Sequence, residues 1–253
     1  MLIDAWRLAV GTLTAIPVRP LSRVDRRRAA AAMLLAPLAV LPLGLVVVGV
    51  VLAGQWLGLP PLVTALLAVG AVVLGNRAFH LDGLSDTVDG LAASYDRSRS
   101  LEVMKSGTSG PAGVVAVVLV LGLQVAALAS VLSVSWRGAV LAGVAVCLSR
   151  AALVVCCARG VPAARADGLG LTYTRTVPRA VVLLVWLVVG LLLAVTCAWA
   201  GLPWWRGTLA AALALGVVVA VIARTTRRFG GVTGDVFGAA IELALAALLV
   251  GLS

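Results

Sequence analysis

The chain has 253 residues, of which 62% are hydrophobic and only 12% are charged. An ordinary soluble domain carries about 25% charged residues, so this composition excludes a soluble globular protein and favours a membrane protein. The formal net charge of +10 does not indicate nucleic-acid binding, because the basic residues flank apolar segments and do not form a soluble basic face.

Seven apolar segments, each nearly free of charge, follow one another along the chain. Most are long enough to cross a hydrocarbon layer of about 30 Å. Continuous apolar runs lack the alternation of a membrane barrel, and backbone amides in lipid must be paired within their own segment, so helices are predicted. The expected fold is all-α: a polytopic transmembrane helical bundle in a single integral membrane domain, residues 1–253. The predicted spans are 29–54, 61–75, 112–133, 139–158, 180–200, 208–223 and 236–252.

The distribution of charge predicts how the bundle is oriented. If the N-terminus is cytoplasmic, seven spans leave only Arg137 and Arg206 outside, whereas almost all other basic residues lie inside, as the positive-inside rule requires. All ten Asp and Glu residues also belong to the inner segments or lie close to them. A polar reaction centre that faces the cytoplasm is therefore predicted. The predicted inner segments are 1–28, 76–111, 159–179 and 224–235.

An aspartate-rich stretch, residues 80–90, follows the second span. At about 100° per residue, Asp82, Asp86 and Asp89 share one helical face, and the leucines lie nearly opposite, so an amphipathic helix on the cytoplasmic side is predicted. Like charges four residues apart destabilise an isolated helix, and a divalent cation would offset them. Mg²⁺ binds through one or two carboxylates while it keeps waters and phosphate oxygens. We predict that the three aspartates are catalytic and hold Mg²⁺; a solvated acidic face is the alternative.

Two further features of this stretch bear on the predicted site. His80 is the only histidine, but it falls on the leucine side of the helix, which favours packing or indirect support over general-base catalysis. Gly83 and Gly90 lie beside the acidic stripe and are expected to leave room for a diphosphate.

The loop that follows leads directly into the third span. Ser109 is expected to cap that helix and Pro111 to occupy its first turn. Free amides at such a helix start bind phosphate, and Lys105 lies nearby as a point charge, so we predict a substrate-binding role for Lys105. A flexible loop followed by an ordinary helix start is the alternative.

Two spans carry ionisable residues. Asp235 opens the last span, and Glu242 follows on the same face about 10 Å deeper. Arg150 lies inside the fourth span. Charges at such depth are costly unless they are paired or hydrated, so both Arg150 and Glu242 are expected to face the bundle interior and to pair. We predict substrate-binding roles for Arg150, Asp235 and Glu242, with a purely architectural ion pair as the alternative.

The segment from Asn76 to Leu91 resembles the signature of the cobalamin synthase family, the adenosylcobinamide-GDP ribazoletransferases. Matches to the same family continue along most of the chain. They are Met104-Lys105, Ser149-Arg150, Gly168-Leu169-Gly170, and Thr233-Gly234-Asp235 with Glu242.

The resemblance implies the last assembly step of vitamin B12 (cobalamin). Adenosylcobinamide-GDP is joined to α-ribazole, or to its 5′-phosphate, and GMP is released, with Mg²⁺ as cofactor. The implied location is the inner membrane of a bacterium or archaeon, with the lipid bilayer around the protein. Asp82, Asp86 and Asp89 would then hold Mg²⁺ against the diphosphate, and Lys105 would contact phosphate. Catalysis of this kind consists mainly of positioning and charge neutralisation.

Two rival functions use some of the same residues. A CDP-alcohol phosphotransferase also carries aspartates on a membrane helix, but its pattern places Ala-Arg after Asp-Gly, whereas Leu84 and Ser85 follow Asp82-Gly83 here. A transporter could place Arg150 and Glu242 on a translocation path. It would leave the acidic stripe unexplained.

Overall fold

The computed structural model describes residues 1–21, 24–132, 135–166 and 168–253, and within these ranges it contains no β-strand. The all-α prediction is confirmed. A 3₁₀ turn spans Ser149–Ala151. The helices are α1 (Leu2–Leu13), α2 (Arg26–Ala39), α3 (Leu41–Trp56), α4 (Pro61–Gly75), α5 (Phe79–Ala93), α6 (Arg97–Val103), α7 (Pro111–Leu132), α8 (Arg137–Leu148), α9 (Ala152–Cys156), α10 (Leu169–Tyr173), α11 (Arg179–Trp199), α12 (Trp204–Phe229) and α13 (Gly234–Leu252).

Six helical segments of the described chain are long and apolar enough to cross a membrane. They correspond to α2 with α3, α7, α8 with α9, α11, α12 and α13. The second predicted span corresponds to α4, which has 15 residues and passes the same test only together with α5, from which it is bent by 88°. The bundle therefore has six or seven spans, and α5 turns away from the axis of α4 at one end of it.

Loops that were predicted to share a side of the membrane do meet at one end of the bundle. Near α5, the Arg165 guanidinium donates to the Leu101 carbonyl at 2.9 Å, and Ala163 forms a backbone bridge to Val232. At the opposite end, Arg137 donates to the Trp199 carbonyl at 2.8 Å. We call the end that carries α5 and α6 the aspartate end. Of the basic residues described, all but Arg137, Arg150 and Arg206 belong to segments at that end.

Helix α13 lies in the interior of the bundle and packs against α5, α7 and α12. Its side chains from Val236 to Leu249 are mostly buried, including the polar Glu242. By contrast, α7 and α11 expose leucines and valines on their outer faces, as lipid-facing helices do. The aspartate helix α5 is thus docked on the most enclosed helix of the bundle.

Candidate active site

Helix α5 begins at a sharp corner of the backbone. Arg77 and Ala78 both adopt left-handed conformations, with φ of 62° and 56°, and they turn the chain by 88° between α4 and α5. Neither residue is glycine, so the surrounding contacts must hold this corner in place. The corner aims α5 across the start of α13.

The acidic and apolar faces of α5 are separated as predicted. Leu81 and Leu84 are buried against Val120 of α7 and Ala239 of α13. The three aspartates are buried to increasing degrees along the helix: Asp82 is exposed, Asp86 is half-buried and Asp89 is buried. The stretch therefore forms a helix, as predicted, but its three carboxylates have different surroundings.

The two glycines beside the acidic face do not leave room for a diphosphate, so that expectation is wrong. A Cβ atom on Gly83 would lie 2.6 Å from the Asp235 carbonyl oxygen, and one on Gly90 would lie 2.6 Å from Cγ of Met104. These glycines let α5 approach α13 and the end of α6 closely. Their role is helix packing.

Carboxylates converge where α5 crosses the start of α13. Partial burial and the nearby charges of Asp82, Asp235 and Asp89 together raise the pKa of Asp86 to about 6, although Arg165 opposes the shift. Asp235 also accepts a hydrogen bond from the Thr233 hydroxyl at 3.1 Å. The structure thus brings Asp235, predicted from the sequence to bind substrate, next to the first two aspartates of α5.

Asp89 makes a different set of contacts, because its carboxylate caps α7. Its two oxygens accept hydrogen bonds from the backbone amides of Gly110 and Gly113, at 2.7 and 2.8 Å. This corrects the expectation that Ser109 caps the helix and that these amides are free to bind phosphate. A negative charge complements the helix dipole at this position. Any Cβ atom on either glycine would collide with the Asp89 carboxylate.

Two clefts open at the aspartate end. The larger one, about 560 Å³, is lined by Asp89, Arg99, Ser106, Thr108 and neighbouring residues of α6 and α7; we call it the α6–α7 cleft. Lys105 is exposed in the same loop. The smaller one, about 160 Å³, lies between residues 165–170 and 232–235, and we call it the glycine-loop cleft. The glycine-loop cleft combines Arg165 with Asp235, and the α6–α7 cleft combines Arg99 and two hydroxyl groups with Asp89 and Glu102.

Arginines tie the loops around these clefts together. Arg97 donates to the Ala164 carbonyl at 2.8 Å, and Arg165 donates to the Leu101 carbonyl at 2.9 Å. Arg228 donates to the carbonyls of Leu91 and Ser94 and stacks over the Tyr95 ring at 4.3 Å. Positive-inside topology explains the presence of these arginines but not the contacts that they make.

Arg150 and Glu242 are fully enclosed, as expected, but the predicted ion pair between them does not form. The Arg150 Nη1 atom donates to the Val146 carbonyl and to the Ser149 hydroxyl, at 2.8 and 2.9 Å. Glu242 instead accepts a hydrogen bond from Gln124 at 2.9 Å. Neither side chain lines the two clefts.

The cavities described beside Glu242 and His80 are too small for a transported substrate. The cavities that border Glu242 and its neighbour His80 measure about 10 and 30 Å³, close to the volume of a single water probe. This disfavours the transporter alternative.

A metal ion bound by these carboxylates would need further ligands. Within the described ranges, no three His, Cys, Asp or Glu side chains are grouped closely enough to hold a metal by themselves, so an all-protein cage of the kind that binds zinc or calcium does not fit. Mg²⁺ needs only one or two carboxylates, because waters and substrate phosphates complete its coordination. The exposed Asp82 and the half-buried Asp86 meet that requirement.

Comparison with known proteins places the chain among relatives of one kind. The family model described as cobalamin-5-phosphate synthase matches residues 5–253. A protein of Nocardioides sp. named adenosylcobinamide-GDP ribazoletransferase is 60% identical over 248 residues, which cover 98% of this chain and 97% of that one. A protein of the same name from Frankia casuarinae is 38% identical over 99% of this chain and 94% of its own length. Another, from Pseudomonas aeruginosa, is 35% identical over 97% of this chain and 96% of its own length. No solved structure matches the chain.

Proposed function

The chain belongs to the cobalamin-5-phosphate synthase family, transferases of last-stage cobalamin biosynthesis, and we propose that it joins adenosylcobinamide-GDP to α-ribazole at the aspartate end of the bundle. The observation that carries this placement is that Asp235, which lines the glycine-loop cleft together with Arg165, lies near Asp82 and Asp86 of α5. The acceptor is α-ribazole or its 5′-phosphate.

The proposed reaction exchanges one phosphorus–oxygen bond for another. A ribose hydroxyl of α-ribazole attacks the phosphorus atom that bears the cobinamide group, and the bond from that phosphorus to the oxygen of the GMP phosphate breaks. GMP leaves with the bonding electron pair, and the hydroxyl proton passes to a carboxylate. A ready acceptor lies among the carboxylates at the crossing of α5 and α13.

Asp82 and Asp86 are the proposed Mg²⁺ ligands, because their oxygens are accessible at the site. Bound Mg²⁺ would neutralise the negative charge of the diphosphate. Asp89, the third predicted ligand, already accepts two amide hydrogen bonds, so we assign it to holding α7 against α5. Arg165 at the glycine-loop cleft, Lys105 in the loop beside the α6–α7 cleft, and Arg99, which pairs with Glu102 in that cleft, are suited to bind the phosphate groups.

We further propose that the aspartate end faces the cytoplasm and that the protein resides in the inner membrane. The concentration of basic residues at this end supports that orientation. The exposed Trp204 and Trp205 lie at the opposite end, in the position of an interfacial aromatic belt.

The proposal is tested with the full chain purified in detergent or liposomes. Adenosylcobinamide-GDP, α-ribazole and Mg²⁺ are supplied, and GMP release is followed. We expect turnover that stops when Mg²⁺ is chelated. If no GMP appears under conditions in which the Nocardioides relative is active, the proposed function is wrong.

The placement of the site is tested with Asp82→Asn and Asp86→Asn. Each removes an ionised oxygen ligand while it preserves the shape of the side chain, so we expect turnover to fall at least about 100-fold. Asp25→Asn is the matched control, since Asp25 is an exposed aspartate that caps α2 away from α5. Retention of wild-type rates by both site variants would remove α5 from the mechanism.

A further inference from the structure

A polar cluster lies inside the bundle, away from both clefts. His80, Gln124 and Glu242 are each no more than 2% exposed, and Arg150 is fully buried. Polar and charged groups at such positions are costly unless they are paired, so their presence calls for a specific role. The chemistry proposed above does not use them.

Glu242 is the centre of this cluster. Its Oε2 atom and its backbone carbonyl both accept hydrogen bonds from the Gln124 amide, at 2.9 and 3.2 Å, and its Oε1 atom lies 3.6 Å from Nδ1 of His80. The same His80 nitrogen lies 3.3 Å from the amide nitrogen of Asn76. One carboxylate of α13 therefore touches both α7 and the first turn of α5.

A fourth element of the bundle packs against α13 beside this cluster. Arg150 belongs to this element, the 3₁₀ turn between α8 and α9. The Arg150 guanidinium is held by the Val146 carbonyl and the Ser149 hydroxyl. The cluster thus joins α5, α7 and α13 to the break in the fourth span.

Contacts with this cluster hold the start of α5, together with the backbone hydrogen bonds of the corner. No side chain caps its N-terminus, and its N-cap residue, Ala78, is in the left-handed region. A strained corner of this kind persists only where several surrounding contacts hold it in place. The surroundings here are Asn76, His80 and Glu242, together with Gly238, where a Cβ atom would lie 2.9 Å from the His80 carbonyl oxygen.

We propose that Glu242 is a positioning residue for the aspartate helix, acting through His80. His80 lies two residues before Asp82 and six before Asp86 in the same helix, so a displacement of its turn moves both carboxylates. Misplacement of catalytic groups by about 1 Å costs on the order of 100-fold in rate. This inference rests on the proposed function.

The test compares Glu242→Gln, His80→Ala and His80→Gln in proteoliposomes, with kcat and KM measured for adenosylcobinamide-GDP. We expect kcat of the first two variants to fall by about 10–100-fold while KM stays near the wild-type value. The reason is that Glu242 and His80 act on the reaction through the placement of the aspartates and do not themselves contact the substrate. His80→Gln retains a polar group towards Glu242 and is expected to recover part of the lost kcat. Thr64→Val is the control: it removes a buried hydroxyl on α4 that faces Gly54, and it should leave both constants unchanged.

Three outcomes would overturn the inference. A raised KM with unchanged kcat in Glu242→Gln would show that Glu242 binds substrate directly. Wild-type kcat in both His80 variants would show that the first turn of α5 needs no such anchor. The same kcat loss in His80→Ala and His80→Gln would point to a loss of packing only.

The His80 variants leave Arg150 and Glu242 in place and decide the matter even if Glu242→Gln does not fold. Absence of GMP release by the wild-type chain in the same preparation would count against the proposed function instead.

Discussion

Replacement of Asp89 separates two roles that an aspartate on this helix could have. The structure shows a buried carboxylate that accepts the amides of Gly110 and Gly113 at 2.7 and 2.8 Å. Exposed helix caps contribute about 0.5–2 kcal/mol, and hydrogen bonds to a charged group contribute about 1.5–3 kcal/mol each. We expect Asp89→Ala to lower the free energy of unfolding by about 3 kcal/mol. Asp89→Asn should cost about half of that, since its single amide oxygen can serve as acceptor while the NH₂ group cannot.

The assay measures the melting temperature in detergent and the Mg²⁺ concentration that gives half-maximal turnover. If Asp89 is a cap, Asp89→Asn lowers the melting temperature and leaves the Mg²⁺ requirement unchanged. Asp86→Asn should instead raise the Mg²⁺ requirement and leave the melting temperature unchanged. Asp25→Asn, which alters an exposed cap of α2, should change the melting temperature less than Asp89→Asn. The reasoning is refuted if Asp89→Asn raises the half-saturating Mg²⁺ concentration about tenfold, a loss of about 1.4 kcal/mol in metal binding, with no change in melting temperature.

Two further substitutions probe the contacts that surround α5. Gly83→Ala places a methyl group 2.6 Å from the backbone of α13, and we expect a loss of about 1–3 kcal/mol in stability with lower turnover. Gly70→Ala, which meets open space within α4, should lower neither the melting temperature nor GMP release, because alanine favours a helix more than glycine does. Arg228→Ala removes the stacking on Tyr95 and the bonds to the carbonyls at the end of α5. It should speed hydrogen–deuterium exchange in α6, while Arg227→Ala on the same helix should not; equal exchange in the two variants would contradict the assigned role of Arg228.

The sequence was most informative where one periodicity dominates. The apolar segments predicted the membrane helices, and the second segment was short because α4 ends at a corner and the chain continues as α5. The acidic stripe predicted α5 and the side on which its leucines pack. The same helical projection also predicted that His80 faces away from the aspartates, and His80 is 2% exposed.

Predictions that depended on contacts between distant segments were less successful. Nothing in the order of residues shows that Asp89 reaches the amides 21 and 24 positions later, because such a contact exists only after α5 and α7 have packed. The glycines beside the stripe gave the same difficulty, since an absent side chain can make room for a ligand or for another helix. The pairing expected for Arg150 and Glu242 was wrong because Gln124 and His80 occupy the positions around the carboxylate.

The sequence by itself therefore determined the class of the protein, the all-α membrane fold, the family and the helix that carries the aspartates. These properties follow from composition and from spacing along one helix, which are local. The tertiary structure alone decided which aspartates remain accessible, that Asp235 joins them, and that Glu242 contacts two other helices inside the bundle. These depend on how helices cross, and the crossing is set by the combined packing of side chains that are far apart in the chain.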